Sequence, residues 1–231
     1  MNEHYKFVNR PLPYAYDALE PYIDAKTMWL HHSRHLQTYI DNLNKALLEY
    51  PQFQDWTLEE LLVNIPSLPD AIQTPVRNNG GGVYNHQFYF SNLSNPAPMH
   101  PTGMLSEAIQ TEFGSFRSFK NSMKDAAASV FGSGYAWLVV DAAGRLKILT
   151  TANQDTPLPL GLCPVLNIDV WEHAYYLKPV SYTHLGNSFF NPLIFTCPQI
   201  LPHIGSHCKT IGYGRHLHHP IQLICGGLYG H

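Results

Sequence analysis

Charge is scarce in this sequence. Fourteen Lys and Arg and seventeen Asp and Glu make up 13% of 231 residues and leave a net charge of −3. That balance excludes a strongly basic nucleic-acid surface, or one built for anionic membranes, as the main contact. No uninterrupted apolar run approaches the ~18 residues of a membrane-spanning helix. Met1-Asn2-Glu3-His4-Tyr5-Lys6 lacks the basic stretch and apolar block of a secretory signal, so a soluble, cytoplasmic protein is expected. Cysteine is limited to four residues with no Cys-x-x-Cys, which excludes the usual thiolate zinc and dithiol redox motifs. Cys163, ahead of Pro164, reads as a small buried residue. Gly80-Gly81-Gly82 is not followed by Gly-Lys-Ser/Thr and reads as a turn rather than a phosphate loop. Gly132-Ser133-Gly134 is too short for a nucleophile elbow.

A second scarcity divides the chain. All seventeen acidic residues lie at or before Glu172, and only Lys178, Lys209 and Arg215 are charged beyond residue 177. Seven of the fourteen histidines and three of the four cysteines fall in residues 178–231. This tail shows no sustained period of 2 or 3.6, so no helix or strand is assigned to it. Its composition is that of a frameshifted or chimeric end, and disorder is expected there. His203 and His207, or His216, His218 and His219 near Cys208 and Cys225, match no zinc module.

The first 177 residues have clearer periodicity. Leu36, Ile40, Leu43 and Leu47 recur at helical spacing and predict one long amphipathic helix from about Asp24 to Glu49. Thr57 with Glu60 has capping-box spacing ahead of a short helix at Leu61-Leu62. Val83 to Leu93 reads as a helix of mostly aromatic faces. Ser106 opens another, with Ile109, Phe113, Phe116 and Met123 in phase. Tyr135 to Val140, a turn at Asp141 to Gly144, and Leu146 to Leu149 predict a β-hairpin. Pro164 to Ile168 adds a third strand leading into a short helix, Trp171 to Leu177. Helices first and a small antiparallel sheet afterwards make the class α+β.

Fourteen histidines are the unusual abundance. His31 and His35 stand four apart in the first helix, where side chains share a face. Such pairs bind metals, and they also occur as packed or exposed residues. Asp169 and His173 repeat the spacing where a strand meets a helix. His86 stands between aromatics, the setting of a packed core histidine. Taken together, three imidazoles and a carboxylate without thiolate suit iron or manganese, and zinc on ligand type alone.

These residues lie in longer matching stretches. Asp169-Val170-Trp171-Glu172-His173-Ala174-Tyr175-Tyr176-Leu177, Met28 to His35 with Tyr39, and Asn78 to His86 together resemble the iron/manganese superoxide dismutases. Tyr14, Phe131 to Gly134, Trp137 and Thr151 to Asp155 match further stretches in order. The resemblance spans about residues 5–177. It implies an N-terminal α-helical hairpin domain, residues 1–100, and an α/β metal-binding domain, residues 101–177, with a small three-stranded antiparallel sheet. Residues 178–231 stand where the family has an Arg-Pro-Asp-Tyr segment and a closing helix, and have no counterpart of either.

By resemblance the metal ligands are His31, His86, Asp169 and His173, with solvent as a fifth ligand. The substrate is superoxide, and manganese is preferred over iron. That preference follows from Gln154, at the place typical of manganese enzymes, and from Gly82, where iron enzymes usually carry the equivalent Gln. His35 and Tyr39 correspond to the substrate gateway, and Trp171 to a wall of the site. Arg34 keeps a positive charge near the funnel. Glu172 and Tyr176 imply a homodimer, each meeting a histidine of the other subunit. Leu36 replaces a common His, and Phe90 and Tyr135 replace common Trp residues. Two other readings stand beside this one: an inactive relic of the family, and a two-His-one-carboxylate iron oxygenase.

Overall fold

The computed structural model describes residues 4–93, 100–171 and 174. The tail, most of the helix expected at Trp171 to Leu177, and Glu172, His173 and Tyr176 lie outside those residues.

The first helix starts where Asp24 accepts hydrogen bonds from the Thr27 N–H at 2.9 Å and the Thr27 hydroxyl at 2.8 Å. It is one rod in three parts: α1 (Ala25–Leu30), a wider π-turn at His31–Leu36, and α2 (Gln37–Leu47). Leu36, Ile40, Leu43 and Leu47 are buried along it, as their spacing predicts. The π-turn was not foreseen. One residue more per turn re-aims the side chains that follow, and such turns concentrate at functional sites. Thr57 and Glu60 form the expected capping box before α3 (Leu58–Val63).

One expectation fails in the next stretch. An unpredicted helix, α4 (Asp70–Pro75), runs into a second π-turn at Val76–Gly80, and α5 (Gly81–Ser91) follows directly. The glycine run is therefore helical rather than a turn. Close packing decides it: a Cβ at Gly81 would strike the Gln154 carbonyl oxygen, and one at Gly82 would come 2.5 Å from the Tyr39 ring. Eight of the eleven residues of α5 are buried, so it forms the centre of the helical part.

The helix expected from Ser106 begins earlier, and it is two helices. Between α6 (Gly103–Phe113) and α7 (Phe116–Ser129), Gly114 takes φ +75°, and Ser115 accepts from the Ser118 N–H to start the second. The in-phase apolar residues conceal this break because both helices lay the same kind of face on the sheet.

Strands β1 (Gly134–Val140), β2 (Leu146–Ala152) and β3 (Cys163–Asp169) form an antiparallel sheet in the order β2-β1-β3. Alternation along β1 sends Tyr135, Trp137 and Val139 into the core with the N-terminal helices. Ala136 and Leu138 go to the opposite face with Ile109, Phe119 and Met123 of α6 and α7. Tyr135 and Asp169 are paired across β1 and β3, so Asp169 shares the face that looks at the helices. Cys163 is buried as expected. No helix among the described residues is long and apolar enough to cross a membrane.

Candidate metal centre

Three elements converge at one point. The first π-turn supplies His31, α5 supplies His86, and the end of β3 supplies Asp169, each 1% exposed or less. One donor atom from each lies within 4.8 Å of the other two. The His31 Nε2 is 3.2 Å from the Asp169 Oδ2, and the two imidazoles meet edge to face with centroids 4.8 Å apart.

The remaining polar atoms of these side chains are held so that the donors face inward. His86 Nδ1 is 2.7 Å from the Gly82 carbonyl oxygen. A carbonyl only accepts, so Nδ1 carries the proton and Nε2 presents a lone pair. Asp169 Oδ1 accepts the Trp171 backbone N–H at 2.8 Å, leaving Oδ2 directed at His31. Burial, reinforced by His35 and His32, pushes His31 down to about 3. The imidazole is therefore neutral at physiological pH, the form that ligates a metal. Two neutral imidazoles and a carboxylate held this closely in a buried site fit manganese or iron.

Of the other sequence-assigned residues, Tyr39 and Gln154 stand beside this group. Gln154 donates from Nε2 to the Tyr39 hydroxyl at 3.0 Å, and its Oε1 accepts from Asn85 Nδ2 at 3.0 Å. Its backbone oxygen accepts from the same Asn85 nitrogen at 3.2 Å. Asn153, just before it, holds φ +51°, a left-handed conformation that Asn tolerates better than most residues. Burial raises Tyr39, against a Gln154 hydrogen bond that lowers it. Tyr39 lies 5.2 Å from the His86 ring, centroid to centroid.

His35 does not join the cluster. Its ring is 6.3 Å from that of His31, partly buried, and burial lowers its pKa against the pull of Asp169. Trp171 packs on the core and donates from Nε1 to the Asn153 carbonyl at 3.3 Å. Arg34 is exposed, with its guanidinium 5.2 Å over the Trp29 ring. His32 is structural: Nε2 donates to the Arg10 carbonyl at 2.9 Å, so Nδ1 accepts from the Tyr16 hydroxyl at 3.0 Å. Sequence reasoning missed Asn85. It stands next to His86, and nothing in its spacing reveals that it holds a residue 69 positions away.

The match to known proteins agrees with this geometry. Residues 5–94 match the iron/manganese superoxide dismutase α-hairpin domain, and residues 101–191 match the C-terminal domain of the same enzymes. A protein of Leptolyngbya boryana named manganese superoxide dismutase 1 is 51% identical over 170 residues, 73% of this chain and 68% of its own length. The manganese superoxide dismutase of Listeria innocua is 52% identical over 167 residues, covering 72% and 82%.

The chain belongs to the iron/manganese superoxide dismutase family.

The manganese superoxide dismutase of Thermus thermophilus is a further relative, 49% identical over 174 residues and covering 75% of this chain and 85% of that protein. The family match extends past residue 177, where the motif resemblance ends, to residue 191. Among superoxide dismutase residues expected here, the structure gathers His31, His86 and Asp169 and seats Gln154 against Tyr39. His173 lies outside the described residues.

Proposed function

We propose that the chain converts two superoxide anions and two protons into dioxygen and hydrogen peroxide at a manganese ion held by His31, His86, Asp169 and His173. The supporting observation is the buried His31–His86–Asp169 group, with Gln154 held beside it between Tyr39 and Asn85. Family membership disfavours both the inactive relic and the iron oxygenase.

Manganese or iron, when bound, supplies one-electron exchange between its 3+ and 2+ states. The protein's own residues hold the ligand atoms and manage protons. Tyr39 stays protonated at neutral pH, because burial raises it, and so serves as a hydrogen-bond donor toward peroxide. Gln154 orients that hydroxyl through its N–H, and Asn85 orients Gln154. The carboxamide's proximity to the ligand group is the means by which it tunes the metal. Manganese is favoured over iron because Gln154 occupies this position, while the Tyr39 ring leaves no room for a side chain at Gly82.

His35 beside Tyr39 forms the proposed entry, Trp171 a wall, and Arg34 adds positive potential that draws the anion inward. A homodimer through Glu172 and Tyr176, a division of the chain near residue 100, and a cytoplasmic location belong to the same proposal. Its test is elemental analysis alongside a dismutation assay. The reading requires stoichiometric manganese or iron and dismutation that disappears in Asp169→Ala and His173→Ala. Metal-free, inert protein, or a requirement for an organic cosubstrate, refutes it.

A further inference from the structure

The segment ahead of the first helix touches both histidine-bearing helices. Exposure alternates along it: Pro11, Pro13 and Ala15 are exposed, while Leu12, Tyr14 and Tyr16 pack on the core. Tyr14 and Tyr16 therefore turn the same way, yet their hydroxyls reach different elements. Tyr14 donates to the Phe90 carbonyl at 2.8 Å, in the last turn of α5, where carbonyls run short of helical donors. Phe90 follows His86 by four residues on that helix and so shares its face.

Tyr16 reaches the first π-turn, beside His31. In the neutral His32 ring, Nε2 donates to the Arg10 carbonyl at 2.9 Å, so Nδ1 takes the Tyr16 proton at 3.0 Å. The Tyr16 oxygen is left to accept from the Ser33 hydroxyl at 2.8 Å. Asn9 adds a third hold, from Nδ2 to the His32 carbonyl at 2.9 Å, and Asn44 of α2 exchanges two hydrogen bonds with the Phe7 backbone. The segment is thus fastened to the His31 rod at several points, while Tyr14 carries it to α5. Between those holds sits the Phe90 ring, edge to face with His31 at 5.0 Å and with His32 at 5.5 Å, centroid to centroid.

We propose that Tyr14 is a positioning residue of the metal centre, acting through residues 7–16 as a brace that fixes α5 against the first π-turn. The separation of His86 from His31 is set by it. The inference rests on the manganese reading above, because a bound metal is what senses that separation. A brace differs from a set of independent contacts in one measurable way: once it is cut at Tyr14, loosening its other end has nothing left to transmit.

The experiment compares the parent, Tyr14→Phe, Tyr16→Phe and the double variant as full-length protein loaded with manganese. It reads manganese release to EDTA, the visible absorption of the oxidised metal, which reports how its ligands are arranged, and thermal unfolding of each apoprotein. Tyr14→Phe is expected to release manganese about tenfold faster than the parent and to shift the absorption band. Tyr16→Phe is expected to act in the same direction, and the double variant to match Tyr14→Phe. Parental release and absorption in Tyr14→Phe overturn the inference. So does a double variant in which the two effects multiply, the mark of independent contacts. Faster release that only tracks a weaker apoprotein, with the absorption band unmoved, overturns it as well. If Tyr14→Phe does not fold, Asn9→Ala loosens the other end alone: faster release with a shifted band supports the inference, and parental behaviour overturns it. A parent that takes up no manganese or iron instead sinks the functional reading, and the inference with it.

Discussion

Arg77 and Asp155 face each other fork to fork, Nε to Oδ1 and Nη2 to Oδ2, both at 2.6 Å across 78 positions of sequence. The pair ties the second π-turn to the turn that carries Gln154. Asn85 reinforces it by bonding both the side chain and the backbone of Gln154. Gln154, the residue proposed to tune the metal, thus sits in a segment anchored from the helical side.

The ion pair is largely solvent-accessible, with side-chain exposures of 58% and 34%, so its energetic share is small. A double-mutant cycle of Arg77→Ala and Asp155→Ala in urea unfolding is expected to give a coupling of about 0.5–1 kcal/mol that weakens with added salt. A coupling indistinguishable from zero at low salt contradicts the clamp.

Gly81→Ala tests the packing that overrode the turn signal. The new methyl group meets the Gln154 carbonyl oxygen, a backbone atom that cannot swing away as a side-chain tip can. Expected is a loss of about 1–3 kcal/mol in apoprotein stability. A changed ratio of manganese to iron uptake should accompany it, because Gln154 moves with its backbone. Unchanged stability and unchanged uptake would show that the contact is slack.

Asn85→Leu removes the donor that orients Gln154. Manganese content is expected to hold, while the dismutation rate falls about tenfold, the equivalent of ~1.4 kcal/mol in activation free energy. Loss of metal in step with rate would place Asn85 in metal retention instead.

The pH response of the β1–β2 turn follows from Asp141. Hydrogen bonding to Lys147 above all, then the backbone N–H groups of Arg145 and Ala143, holds its carboxyl well below the usual range. A depressed folded-state pKa stabilises the protein above the unfolded value of about 3.9, and this is lost as pH falls through the folded value. Asp141→Asn is therefore expected to be less stable than the parent at neutral pH. The difference should shrink as the pH is taken below 4, read from thermal unfolding in acid. A gap constant across that range removes the assignment.

Much of this protein is legible in local pattern. The period of Leu36, Ile40, Leu43 and Leu47, the capping box at Thr57, and the alternation of β1 each depend on neighbours a few residues away, and each was readable for that reason. The glycine run misled because Gly usually signals a turn when no packing is considered. Here three helical glycines bring α5 close to its neighbours, and at Gly81 and Gly82 those neighbours are Gln154 and Tyr39. The split at Gly114 stayed hidden because its two flanking helices keep apolar residues in phase.

The amino-acid sequence by itself determined which side chains are available to the site: three imidazoles and a carboxylate as candidate ligands, a carboxamide, and a phenol in place of an indole. Tertiary structure alone decided that His31, His86 and Asp169 meet within 4.8 Å and that Asn85 and Tyr135 stand around them. The reason is geometric. Spacing along a chain fixes which residues share a face of one element, whereas a π-turn, a strand register and the approach of glycine to a ring set where separate elements cross.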